Sequence, residues 1–154
     1  MTEIYPIAKS LFERVLRCAY TFDDSAEEIT VSYPSCLDDG AVYPVTLSFH
    51  EDGDDCSVRI KINYMSLPEP DRSRKEDGEA MLALKLAYTC NEVNRSFRWG
   101  TLVYEDGEMV VYHDEIVTED AAEQELLESF AELINYCDTH YDFIQEVVRN
   151  ACKL

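Results

Sequence analysis

Cysteine and histidine are the side chains best suited to covalent or metal chemistry, and this chain has six cysteines and three histidines in 154 residues. The cysteines stand at Cys18, Cys36, Cys56, Cys90, Cys137 and Cys152. A zinc ribbon or dithiol redox centre needs closely paired thiolates, and no C-x-x-C occurs. The wide spacings read instead as free thiols that pack as small hydrophobes in a reducing compartment. A metal site combining His50 or His113 with Cys56 or Asp114 matches no specific ligand spacing, and both read as surface histidines. His140 falls on an apolar helical seam and reads as a core or interface histidine. Asp52, Asp54 and Asp55 resemble part of a calcium loop, but the alternating register and its closing glutamate are missing, which leaves an acidic turn. No phosphate-loop, dinucleotide, nucleophile-elbow or zinc-protease motif is present. The expectation is a non-enzymatic protein with no catalytic residue, metal or cofactor. A Cys–His pair that meets only in space is the enzymatic alternative.

Charge points the same way. There are 32 acidic against 13 basic side chains, a net charge of −19. Nucleic-acid binding rests on Lys and Arg neutralising phosphates, so no nucleic-acid partner is expected, and anionic lipid is equally disfavoured. The acidity is segregated: Asp23–Ser57 holds ten Asp or Glu and Trp99–Val148 holds fourteen, with no Lys or Arg in either. Such a field keeps a protein soluble, or steers a basic partner toward it. Charged residues interrupt the apolar runs of the first twenty positions, so no secretory signal is read, and no window approaches the roughly 18 apolar residues of a membrane span. A cytoplasmic protein with no membrane partner is expected.

The elements that would position these residues follow from periodicity. Pro6–Ala19 reads as an amphipathic helix, with Ile7, Leu11, Val15 and Cys18 on one stripe and Pro6 in the first turn. Glu28–Tyr33, Val42–His50 and Cys56–Met65 alternate as strands. The last of these carries Val58, Ile60, Ile62 and Tyr64 opposite Arg59, Lys61 and Asn63. Charge on that second face means it sees water, which antiparallel sheets tolerate. Leu67–Gly78, with Pro68 and Pro70, is the most linker-like stretch. Glu79–Asn94 reads as a second helix with Ala80, Leu84, Ala87, Tyr88, Asn91 and Val93 inward and Asn94 as C-terminal cap. Phe97–Tyr104 and Met109–His113 flank Asp106-Gly107, which suits a type I′ hairpin. The last helix runs from Thr118 or Glu119 to about Ala151, capped by Thr118. Leu127, Phe130, Ile134, Cys137, Tyr141, Ile144, Val148 and Ala151 form its heptad-like seam. Poor helix formers over Asn135–Asp142 predict a bend or break near Asp138-Thr139.

The order α-βββ-α-ββ-α has no parallel strand–helix alternation. It predicts one α+β domain over 1–154: an antiparallel sheet with helices on one face.

Cys90-Asn91-Glu92-Val93-Asn94, then Phe97-Arg98-Trp99-Gly100-Thr101-Leu102, then the Asp106-Gly107 hairpin and a long amphipathic helix, resemble the YbjN-type family. The resemblance runs from about Glu79 to Val148, and the first half follows its outline loosely. It implies a fold like that of type III secretion chaperones, often dimeric, small, acidic and non-enzymatic, which holds a client segment on exposed apolar surface.

The functional expectation is a chaperone-like or regulatory module that binds a client protein or peptide, one of basic character. Candidate contacts are Trp99, Thr101 and Val103 on the hairpin and Leu127, Ile134 and Tyr141 on the last helix, although periodic apolar residues of this kind commonly form the core. Part of the helical seam is a candidate homodimer interface. The alternative is an acidic inhibitor or immunity-type protein that blocks a basic partner.

Overall fold

The computed structural model describes residues 3–15, 18–34, 42–53, 55–67, 76–96 and 100–153. Its elements are α1 (Ile4–Val15), β1 (Tyr20–Asp23), β2 (Glu28–Pro34), β3 (Val42–Asp52), β4 (Asp55–Ser66), α2 (Glu76–Asn94), β5 (Thr101–Glu105), β6 (Glu108–Val117), a single 3₁₀ turn (Glu119–Ala121) and α3 (Ala122–Cys152). The six strands form one antiparallel sheet in the order β1-β2-β3-β4-β6-β5. The fold is α+β as expected, with one strand more than the sequence pattern gave. No helix among the described residues is long and apolar enough to cross a membrane.

Alternation assigns the faces. Ile29, Val31, Tyr43, Val45, Leu47, Val58, Ile60 and Ile62 are buried, and they join one core with Leu11 and Phe12 of α1, Leu86 of α2 and Phe130 of α3. The opposite face is polar. Its register places Thr30 beside Thr46, Arg59 beside Asp114 and Lys61 beside Tyr112. Phe130 stands edge-on to Phe12 at 5.9 Å and to Tyr33 at 5.1 Å, which joins α3 to α1 and β2. Aromatic pairs at such separations add to their area burial.

The hairpin expected at Asp106-Gly107 forms as read. Glu105 pairs with Glu108, and the tip residues take φ of 51° and 80°, the two positive values a type I′ turn requires. Just before β5, Gly100 permits a close approach: a Cβ there would meet Val111 Cγ1 at 2.8 Å and the Tyr112 carbonyl at 3.0 Å.

Three local expectations are corrected. First, α3 is not broken at Asp138-Thr139, and runs unbroken from Ala122 to Cys152. The weak helix formers have found tertiary and local partners. Tyr43 donates to Asp138 at 2.7 Å, Tyr64 donates to the Cys137 carbonyl, and Thr139 donates to the Asn135 carbonyl at 2.8 Å. Propensity is a weak prior, and packing overrides it here. Second, the Thr118 side chain caps no helix N–H. Glu125 reaches back instead, and its carboxylate accepts from the Thr118 amide at 3.2 Å. Third, Asn94 is no left-handed cap. Its carboxamide accepts from Leu102 N–H at 2.7 Å and donates to Leu102 C=O at 2.9 Å, which fastens the end of α2 to β5.

Candidate functional site

α2 carries two apolar stripes. Leu82, Leu86, Cys90 and Val93, spaced 4, 4 and 3 apart, turn inward, and Leu86 is 0% exposed. Met81, Leu84 and Tyr88, spaced 3 and 4 apart, point the other way and are 52%, 66% and 67% exposed. Residues at these spacings share one helix face, so the outer stripe covers about 10 Å of helix. The periodicity of α2 places Ala80, Leu84, Ala87, Tyr88 and Asn91 inside. All five are exposed, and only Val93 of that set is buried. The apolar content of α2 runs nearly all round, so a single periodicity could not fix its phase. The signal that separates the faces is the second stripe through Leu82, Leu86 and Cys90.

α3 lies beside α2 and antiparallel to it. Tyr136 donates to the Ser96 carbonyl at 3.2 Å just past the end of α2, while Ala151 shares a hollow of about 330 Å³ with Met81, Leu84, Lys85, Tyr88 and Thr89. At about 100° per residue, Tyr136, Val147 and Ala151 mark the flank of α3 that borders α2. Phe143, 59% exposed, follows on the outer side of that flank. Beyond it come Glu128, Glu132, Asp142 and Glu146, all exposed. None of these four carboxylates forms an ion pair among the described residues. The outer helical layer therefore sets an apolar ridge, with Lys85 in its hollow, level with Asp142 and Glu146, while Glu128 and Glu132 lie past the end of α2.

The polar face of the sheet is different in kind, because its charges are paired. Arg59 makes a two-pronged contact with Asp114 at 2.8 and 3.0 Å and lies 5.2 Å from the Tyr112 ring centre. Lys61 stands 3.9 Å from Glu105, to which the Tyr112 hydroxyl also donates. The Arg59 bond holds the Asp114 carboxyl below the usual range. Burial, then the bond to Glu105, pushes the Tyr112 hydroxyl up to about 12.

At the other end of the molecule a cleft of about 370 Å³ is lined by Glu3, Glu51, Asp55, Cys56 and Glu119 among others. The protonated Glu119 carboxyl can donate to Glu3, and that bond, with the Glu3 charge beside it, raises Glu119 above its ordinary value. No group of three or more His, Cys, Asp or Glu that could hold a metal occurs among the described residues. Burial pushes the Cys56 and Cys90 thiols up, and takes Cys137 to about 12, away from the thiolate that nucleophilic or metal chemistry needs.

The six residues singled out from the sequence do not converge. Trp99 lies outside the described residues, as does Cys36. Thr101 is exposed and Val103 half-buried on the polar face, at the β5 edge. Ile134 is in the core at 3% exposure, so it is not available as a surface contact in the folded chain. Leu127 and Tyr141 are half-buried and pack on that core, Tyr141 edge-on to Tyr64 at 5.4 Å. The seam is occupied by the chain's own sheet. His140 is half-buried with its ring 4.2 Å from that of Tyr136.

Neither models of known protein families nor the curated proteins give a match to this chain.

Proposed function

We propose that the protein is a non-enzymatic binding module that engages another polypeptide through the outer face of α2. One observation carries this reading: Leu84 and Tyr88, two large apolar side chains, stand two-thirds exposed on the helix face opposite the core. Single exposed apolar residues are ordinary, but a continuous stripe at helical spacing, rimmed by charge, is the form an interaction surface takes. The raised thiol pKa values of the buried cysteines favour binding over covalent chemistry. The likeness of Cys90–Leu102 and the following hairpin to YbjN-type proteins suits a chaperone-like or regulatory role in the cytoplasm. The contacts nominated here are Met81, Leu84 and Tyr88, in place of the α3 seam.

The test is site-specific photocrosslinking in native host cells, with the reactive group at position 88 and, as control, at Thr30 on the polar face. The expected result is a discrete adduct from position 88 that is absent from position 30 and lost when Leu84 is replaced by Asp. Equal labelling from the two positions overturns the reading. A partner that is captured only as a folded basic protein, and through the Glu3–Glu119 cleft, would support the acidic-inhibitor alternative instead.

A further inference from the structure

Resting on that reading, we infer that the partner element is a cationic amphipathic helix laid across α2 and α3, its apolar side on Leu84, Tyr88 and Phe143 and its Lys or Arg side chains over Asp142 and Glu146. Three observations lead there. Asp142 and Glu146 lie level with the apolar ridge on the same outer layer, so an occupant of the ridge meets them as well as Lys85 in its hollow. These two carboxylates form no ion pair among the described residues, unlike Asp114 and Glu105 on the polar face. The backbone of both helices is already hydrogen-bonded within itself, so an extended segment docked there would find no ladder to join and would bury its own amides unpaired. A helix arrives with its backbone satisfied and offers ridges that fit between α2 and α3. The same charge argues against a second copy of this chain, since each protomer brings a net charge of −19 and the acidic rows would face like charge.

The experiment uses the full chain and three labelled peptides of about 18 residues, long enough for five helical turns. One is an amphipathic Leu–Lys helix, one its scrambled isomer, and one the Leu–Glu counterpart. Binding is read by fluorescence anisotropy, and helix formation by circular dichroism. Four proteins are compared: the native chain, the double variant Leu84→Asp/Tyr88→Asp, a variant with Asp142 and Glu146 changed to their amides, and a control with Glu3 and Glu119 changed to theirs. All substituted residues are exposed, and unchanged unfolding midpoints verify that each variant folds.

The native chain should bind the Leu–Lys helix and make it helical. The scramble, the double variant and the α3 amide variant should each weaken binding by about tenfold or more, and the distal control by less than about threefold, as expected for local rather than diffuse charge. Equal loss from the distal control means diffuse attraction only and overturns the inference. So does equal binding of the Leu–Glu helix. A homodimer that sediments as such and dissociates on Leu84→Asp would make the occupant a second copy, which also overturns it. If crosslinking from position 88 succeeds while all three peptides fail, the binding face stands and the cationic helix falls. If crosslinking itself fails, the parent reading falls.

Discussion

The two helices of the outer layer dispose of their apolar residues in opposite ways. α3 puts Leu126, Phe130, Leu133, Ile134, Cys137, Ile144 and Val148 into the core and leaves mainly polar and charged residues outside, with Phe143 its one large apolar exception. α2 buries Leu86, Cys90 and Val93 and still holds Met81, Leu84 and Tyr88 in solvent. For α3, fold requirements account for nearly every apolar position, and polar residues such as Asp138 are absorbed by partners on the sheet. For α2 they account for one stripe only. Apolar surface kept in water lowers solubility and contributes nothing to the folded chain alone, which is the physical basis of the contact proposed for the second stripe.

That contrast can be tested by substitution. Phe130→Ala should have the largest effect, about 3–5 kcal/mol of lost stability by urea unfolding, because it empties the junction of α3 with Phe12 and Tyr33. A loss under about 1 kcal/mol would mean that the α3 interior is no better packed than the outer face of α2. Gly100→Ala should cost about 1–3 kcal/mol, since the new methyl meets Val111 and the Tyr112 carbonyl where the chain runs from α2 into β5. Asp114 gives a smaller, pH-dependent effect. Its folded pKa is depressed by Arg59, so its contribution is present above the unfolded aspartate pKa of about 3.9 and is lost as pH falls through the lower folded value. The pair is more than half exposed, which limits it to about 0–1 kcal/mol. Asp114→Asn should flatten the acid limb of stability against pH, most visibly at low salt. Leu84→Ser should change stability least, within about 0.5 kcal/mol. A larger loss would place Leu84 in the core's service and erase the difference between the two stripes.

Legibility in the sequence followed the same division. Strands β2, β3 and β4 were readable because each has one wet and one buried side, which alternation reports directly. The Asp106-Gly107 tip was readable because few residue pairs accept two positive φ values. β1 was not, since four edge residues, three of them exposed, leave little pattern, and its Tyr20 and Phe22 rings stack on each other at 5.1 Å instead of entering the core fully. The continuity of α3 was missed because the bonds that hold its middle come from Tyr43 and Tyr64, far away in sequence. The phase of α2 was missed because two stripes on one helix blur a single period. The candidate surface was therefore visible as residues, and hidden as a face.

The end of α2 also guards the sheet. Strand β5 is an outer strand, and such strands invite pairing by passing chains. The Asn94 carboxamide holds both the N–H and the C=O of Leu102, and the Cys90 sulfur lies within hydrogen-bonding reach of the Tyr104 backbone. Those groups of the ladder are already taken, which disfavours the pairing of a second molecule on this margin. At the far margin β1 offers only four residues. The apolar face of α2 thus stands on a molecule whose sheet margins offer little backbone for pairing.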